Sequence, residues 1–439
     1  MARDQGSDVP EDWEVRSLRD VVIDLTSGDW GSADEDAGQE CRVIRGTDFE
    51  KLTKSDLSQV PIRRLKEKSI ETRRLVGGDL LVEMSGGSKD QQTGRILLAE
   101  DSLVSQDSQP FVFSNFVKRL RLDTGAVLPE YFYLYWRFLY QLRRMFIYEK
   151  RTTGIRNFKL SDFLTNECLA IPPIKEQRAI AHVLRTVQRA KEATEKVIAA
   201  ARQLKQSLMR HLFTYGPVPF HEAGQVDIRG TDFGAAPANW TIMRLDECAE
   251  VQTGVAKGRK LNSTETVTLP YLRVANVQDG FLDLTEIKTL TIRSSEIDRY
   301  SLRRGDVVLT EGGDFDKLGR GFIWTEEVSL CIHQNHIFAV RANRELLLPE
   351  FLAYMTQSNY GKAYFLSVAH KTTNLACINT TKLKAFPALL PELEGQRSII
   401  ERLRFVDRKI AAEEAKRSSL ESLFSSLLHE LMTGQTRVD

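Results

Sequence analysis

Apolar positions spaced alternately three and four apart run through two stretches of this chain. In the first, Ile180, Val183, Val187, Ala190, Thr194, Val197, Ala201, Leu204 and Leu208 keep the spacing. In the second, Ile399, Leu403, Val406, Ile410, Glu413, Arg417, Leu420, Phe424, Leu427 and Leu431 keep it across a polar break at Glu413 and Arg417. Such a seam is the a/d stripe of a coiled coil. Pro172-Pro173 and Pro391 stand just before the two stretches, where proline's missing N–H is tolerated. Gly216-Pro217 and Gly434 close them. The pattern predicts a helix over 174–215 and another within 391–439, each about 38 residues or roughly 57 Å long. A two-position stripe is too narrow to bury in a globular core, so each helix is expected to pair with the other. Each follows a globular segment, and only antiparallel pairing would use the full length to hold those segments apart.

The remaining chain alternates short apolar runs with Gly, Asp and Ser clusters. Leu80-Leu81-Val82, Phe111-Val112-Phe113, Val307-Val308-Leu309 and Ile337-Phe338-Ala339-Val340 read as strands. One aromatic helix follows Pro129 (Tyr131–Tyr140) and another follows Pro349 (Phe351–Tyr360); aromatics at helical spacing predict core. These segments repeat one another. Pro10-Glu11-Asp12-Trp13 returns as Pro237-Ala238-Asn239-Trp240, Ile44-Arg45 with Asp48 as Leu272-Arg273 with Asn276, and Gly78-Asp79-Leu80-Leu81 as Gly305-Asp306-Val307-Val308. Ser85-Gly86-Gly87 matches Glu311-Gly312-Gly313, Ser105-Gln106-Asp107 matches His333-Gln334-Asn335, and Thr152-Thr153 matches Thr372-Thr373. Glu176-Gln177-Arg178 and Gly395-Gln396-Arg397 open the two helices. A period of about 220 residues is far beyond solenoid repeats of roughly 20–50. The chain is therefore an α+β protein: two similar mixed α/β domains separated by two long helices forming an antiparallel coiled coil, with pseudo-twofold symmetry. The expected bounds are 1–173, 174–215, 216–390 and 391–439.

Composition adds limits. The chain has 439 residues, 42% of them hydrophobic, enough for several cores. No apolar run approaches the ~20 residues of a bilayer span, and Met1–Gly6 carries no apolar export segment. Cys41, Cys168, Cys248, Cys331 and Cys377 are scattered and read as buried thiols of a reducing cytosol. The net charge of +1 hides an uneven distribution. Residues 118–160 hold 10 basic side chains against 3 acidic, and 174–215 hold 9 against 3. A basic face for phosphate is one reading; solvated helix faces are the plainer one.

Searches for chemistry in the chain itself return nothing. There is no GK[ST] phosphate loop, no GxSxG, and no Asn/Asp/Ser-Pro-Pro-aromatic motif to hold a flipped adenine; Ile171-Pro172-Pro173-Ile174 lacks both amide and aromatic. Glu413-Glu414-Ala415-Lys416 imitates a metal-nuclease fragment but lies on a helical rod. In Cys331-x-His333-x-x-His336, strand alternation would split the candidate zinc ligands, and the first copy offers no histidine there. What remains is recognition. The two glycine turns each carry basic residues, Lys89 and Arg95 in one and Lys317 and Arg320 in the other, and glycine lets a backbone approach a partner closely. With Arg45, Asp48, Ser85, Arg273 and Asn276 they form the candidate DNA-contact set, and Gln106 and Gln334 are candidate adenine readers. The alternative for Arg45 and Arg273 is a structural tie to neighbouring acids.

The chain resembles the specificity subunit of type I restriction–modification systems. The resemblance covers nearly its whole length and is carried by Tyr271-Leu272-Arg273-Val274-Ala275-Asn276-Val277-Gln278-Asp279-Gly280, by Gly305-Asp306-Val307-Val308-Leu309, and by Ile171-Pro172-Pro173-Ile174-Lys175-Glu176-Gln177-Arg178 leading into the helix. The second helix departs from the family pattern, reading Pro391-Glu392-Leu393-Glu394-Gly395-Gln396-Arg397. The resemblance implies two target recognition domains, each reading half of a bipartite site in double-stranded DNA, in a cytoplasmic complex. It implies two methyltransferase subunits that methylate adenine N6 with S-adenosylmethionine, and, where restriction accompanies modification, two restriction subunits using ATP and Mg. No cofactor, metal or catalytic residue is expected in this chain itself, and no membrane. Against this stand a self-contained nuclease or methyltransferase, which would bind S-adenosylmethionine alone, and a protein adaptor, which would lack the salt-dependent DNA affinity that phosphate neutralisation gives.

Overall fold

The computed structural model describes residues 9–33, 38–88, 91–152, 155–258, 265–313, 318–371 and 376–438. The chain divides into two compact units, Met1–Thr194 with Lys416–Asp439, and Glu195–Ala415. The long helices Ile174–Tyr215 and Leu393–Met432 each contribute one half to each unit.

In the first unit an antiparallel sheet runs in the order Val22–Ser27, Val117–Leu122, Leu80–Glu83, Ile96–Leu98. Successive strand residues face opposite ways, and both faces are covered here. Leu80, Val82 and Leu120 pack with the helix Pro129–Gln141, while Leu81, Leu97 and Val117 pack with Ile44, Phe49 and Phe113. A three-stranded sheet joins Ile62–Leu65, Gln39–Ile44 and Phe111–Phe113. Glu14–Ser17 pairs with Cys168–Ile171, and the hairpin Glu149–Thr152/Ile155–Phe158 pairs with Ser85–Gly86.

The second unit repeats this order. Its main sheet is Ala249–Thr253, Ile337–Ala342, Val307–Thr310, Gly321–Ile323; its three-stranded sheet is Lys288–Arg293, Thr266–Leu272, Ile332–His333. Thr241–Arg244 pairs with Pro387–Leu390, and Gly312–Gly313 with Ala376–Cys377. A further hairpin, Ile228–Thr231/Gly234–Pro237, precedes Trp240.

The aromatic helix of the first unit is core, as its spacing predicts: Tyr131, Phe132 and Trp136 are fully buried. Its counterpart is two helices rather than one, Pro349–Gln357 and Asn359–Val368. Ser358 is extended and caps the second, its hydroxyl accepting the Gly361 N–H. A serine that can satisfy a free backbone N–H makes the break affordable.

The reason for the repeated Gln-Arg at the head of each long helix is a buried glutamine. Gln177 Oε1 accepts the Leu128 N–H at 2.8 Å, and its Nε2 donates to the Ala126 and Pro172 carbonyls. Gln396 makes the same three bonds, with Leu348 N–H and the Leu346 and Pro391 carbonyls. One side chain thus ties the start of the aromatic helix to the start of the long helix in each unit.

Within each unit the long-helix segments run antiparallel. In the first, Lys191 pairs with Glu421 at 2.8 Å, and Glu176, in the first turn of its helix, pairs with Arg437 beyond the other helix's end. In the second, Lys205 pairs with Asp407 and Arg202 with Glu414. The seam corrects the expectation at two positions. Val197 (41% exposed) and Leu204 (55%) turn outward, and Ile198 (4%) is buried. Past Thr194 the buried line continues through Ile198, Met209 and Leu212. A straight helix drifts about 20° per heptad against a strict 3.5 repeat, and packing of Met209, Leu212 and Phe213 into the second unit's core fixes the later phase. In the second helix the seam holds except at Arg417, which is exposed.

Each long helix closes on a left-handed glycine, Gly216 (φ +79°) and Gly434 (φ +70°), lying against the Pro-Trp pair of its unit, Pro237 and Trp240 or Pro10 and Trp13. In the first unit Arg437 then grips Asp12 and Glu176 and lies over the Trp13 ring, so the C-terminal segment is fastened to the N-terminal strand region.

Candidate nucleic-acid interface

Several candidate contacts are engaged inside their own domain. Arg45 makes a bidentate pair with Asp48, whose carboxylate is buried and also accepts the Arg45 N–H. Side-chain bonding to Asp48 holds the Arg45 guanidinium above its usual pKa. Asn276 occupies the Asp48 place: it accepts the Arg273 N–H and donates to the Asp283 and Glu286 carbonyls, while Arg273 pairs with Glu286. These four residues build the turn after the strand. Arg95 makes a bidentate pair with buried Glu83, and Ser85 donates to Asn157. The Gly-Asp turns are likewise explained: Asp79 is gripped by Arg121 and Asp306 by Arg341.

About half of the basic run 118–160 is engaged within the domain in this way, which favours the plainer reading for those residues. Arg119 is buried and pairs with Asp24; Arg121 pairs with Asp79, Arg144 with Glu167 and Arg156 with Glu149, and Arg137 lies over the Tyr133 and Phe424 rings. Lys89 and Lys317 lie outside the described residues. Arg320 is half-buried, and its Nε has no hydrogen-bond partner among the described residues. The place of Glu83 is taken by Thr310, since strand Leu80–Glu83 corresponds to Val307–Thr310.

Two matches made along the sequence are out of register in space. Ser85–Gly86 and Gly312–Gly313 occupy equivalent places, each pairing with its hairpin, so Ser85 corresponds to Gly312 rather than Glu311. Gln106 and Gln334 are not equivalent. Gln106 follows the short helix Asp101–Val104 and donates to the Ser55 carbonyl. Gln334 begins the loop between Ile332–His333 and Ile337–Ala342, and its counterpart is Ser114. The main-chain bonds establish this: Ser114 N–H to Ile44 and Val117 N–H to Ser114 in one unit, Gln334 N–H to Leu272 and Ile337 N–H to Gln334 in the other. The sequence comparison missed Ser114-Asn115-Phe116 against Gln334-Asn335-His336 because only the asparagine is shared.

At one end of each main sheet these features gather. In the first unit Glu83 packs against the backbone of Gly46 and Gly86, bringing the Arg45 turn, Ser85 and Arg95 beside one another. The Ser114–Phe116 loop joins them, the Met84 N–H bonding to the Phe116 carbonyl. In the second unit Thr310, Glu311, Arg320 and Gln334–His336 take these places, and Glu311 pairs with His336 at 2.6 Å. The suggested metal cluster is not assembled: Cys331 and His333 are buried while His336 is exposed, and no group of three metal-ligating side chains forms among the described residues. Burial pushes the Cys41 and Cys248 thiols up to about 11. Cys168 and Cys377, expected inside, are exposed. No helix among the described residues is long and apolar enough to cross a membrane.

Two units with one main-chain frame and different side chains at the same rim define a duplicated recognition protein. The family of the type I restriction modification DNA specificity domain matches residues 10–202 and again 237–422, and the chain belongs to it. The chain is similar to the putative type I restriction enzyme MjaX specificity subunit of Methanocaldococcus jannaschii, 22% identical over 441 residues, 98% of this chain and 95% of the relative. The MjaVIII specificity subunit of the same organism is 25% identical over 325 residues, 73% of each chain. Among solved structures, one concerning complex assembly and conformational transition of the type I R-M system shares the fold, with a TM-score of 0.55 at 17% identity over 98% of this chain and 99% of that one.

Proposed function

We propose that this chain is the sequence-reading subunit of a type I restriction–modification complex, each unit reading one half of a bipartite site in duplex DNA. The observation that carries the reading is the duplicated frame bearing unlike side chains, in a chain that matches the DNA specificity domain twice. A reader of two different half-sites needs that combination. On this reading the chain binds no cofactor and performs no chemistry; two methyltransferase subunits bring S-adenosylmethionine and methylate adenine. Restriction subunits, where they join, bring the ATP- and Mg-dependent cleavage, and the complex works in the cytoplasm. Of the eleven residues proposed for DNA, Arg320, Gln334 and Ser85 stand at the gathered rim. Arg45, Asp48, Arg95, Arg273 and Asn276 build its turns, and Gln106 sits apart.

The test is a graft. Replacing 216–390 with the corresponding segment of a relative of different specificity should change one half of the methylated motif and leave the other intact. Sequencing of methylated adenines reads the result, and both halves changing together would overturn independent reading.

A further inference from the structure

At the rim the two units share four main-chain bonds. In the first, Ser114 N–H donates to Ile44, Val117 to Ser114, Met84 to Phe116 and Phe158 to Met84. In the second, Gln334 donates to Leu272, Ile337 to Gln334, Glu311 to His336 and Ile378 to Glu311. The backbone therefore presents positions 84 and 116 as it presents 311 and 336. What stands on that frame is opposite in character. The first unit carries Met84, part of it packed on the core, and Phe116, which is 57% exposed. The second carries a hydrogen-bonded carboxylate–imidazole pair, Glu311 with His336.

An aromatic ring held in solvent on an ordered loop gains nothing for the domain's own stability. A carboxylate–imidazole pair at the equivalent place contributes little there either, since pairs in contact with solvent add little net stability. Both arrangements are chemically selective toward base edges. An apolar side chain fits the thymine methyl, and a glutamate accepts from the cytosine N4 amine.

We infer that Met84 with Phe116, and Glu311 with His336, are the paired base-selecting positions of the two half-sites, the first taking a thymine methyl and the second a cytosine amine. His336 positions the Glu311 carboxylate. The inference rests on the DNA-reading function proposed above and assigns it to four side chains outside the contact set drawn from the sequence.

The experiment uses the full chain assembled with its methyltransferase subunits. Two double variants exchange the rims: E311M/H336F and M84E/F116H. The single variants F116A and H336A, both at exposed positions, serve if a double variant fails to assemble. Methylated adenines are mapped by sequencing, and DNA affinity is measured on the original site and on sites changed at single base pairs. E311M/H336F should change the preferred base at one position of one half-site from cytosine to thymine, about tenfold to a hundredfold in preference. M84E/F116H should do the reverse in the other half-site. The single variants should relax the same positions.

An unchanged motif at wild-type affinity would overturn the assignment while leaving the recognition function standing. Equal weakening on all sequences would mark a backbone contact, and loss of subunit assembly in the single variants as well would mark a protein-docking rim; either would also overturn it. The wild-type complex is the control for the broader reading, which fails if it shows no sequence preference at all.

Discussion

Gln177 carries more of the architecture than any charged residue near it. Three main-chain groups, buried or part-buried, bond to its amide. Each buried group left unsatisfied costs about 1–3 kcal/mol. Gln177→Leu should therefore lower the urea midpoint of the first unit's unfolding sharply, by about 3 kcal/mol or more in stability. Gln177→Glu, which keeps the shape but faces carbonyls with oxygen, should be no better. His333 is a second such residue. Burial pushes its imidazole down to about 4, whereas an unfolded histidine takes its proton near 6.5. A depressed pKa means that the stability is complete above about pH 6.5 and is lost as pH falls toward 4. At about 1.4 kcal/mol per unit, the second unit should lose roughly 3 kcal/mol over that range. The first unit has Phe113 at this place in the corresponding strand. His333→Phe gives up the bond to the Tyr300 carbonyl. Even so, its unfolding midpoint should depend less steeply on pH between 6.5 and 4 than that of the wild type.

Elements respond to where they lie along the seam. Ile198 is buried and Val197 beside it is not. Ile198→Ala should cost about 2–5 kcal/mol, the usual range for a truncated core isoleucine. Val197→Gln and Leu204→Gln should stay within about 0.5 kcal/mol of wild type, as substitutions at exposed positions do. Thermal unfolding of the full chain separates these outcomes, and a destabilised Val197→Gln would restore the original seam. The a/d rule is reliable where two helices meet only each other. Here both helices also seat their ends in domain cores, with Leu184 and Phe424 in one and Met209 and Leu403 in the other. Those contacts shift the phase by one position, and no spacing rule carries that information. The split of the second aromatic helix at Ser358 has the same origin, a local cap overriding an apolar pattern.

For the whole molecule, both long helices run unbroken through the residues where one unit gives way to the other, 194–195 and 415–416. If the helices set the spacing of two reading domains, length should alter the gap and not the bases. Four residues inserted between Ala193 and Thr194 add about 6 Å, close to one turn. The unspecified gap in the methylated motif should lengthen by one or two base pairs, with some loss of stability from the stutter. The motif of the assembled variant reads this directly, and an active complex with an unchanged gap would show that the helices are not the ruler.

The sequence by itself determined the duplication, the two helices, the aromatic core and the family resemblance. All of these are periodic or local signals, repeated in apolar spacing and in punctuation by proline and glycine. It also exposed the Gly-Asp and Gln-Arg motifs, but not their purpose. Asp79 and Gln177 are conspicuous in the chain because they satisfy buried groups, not because they meet a ligand. Only the tertiary structure decided which cations remain free, because an arginine's partner can lie far along the chain, as Arg119 finds Asp24 and Arg437 finds Asp12. It alone set the equivalence of Phe116 and His336. Backbone hydrogen bonds fix that register while the side chains differ almost completely, and a comparison of letters has nothing there to align.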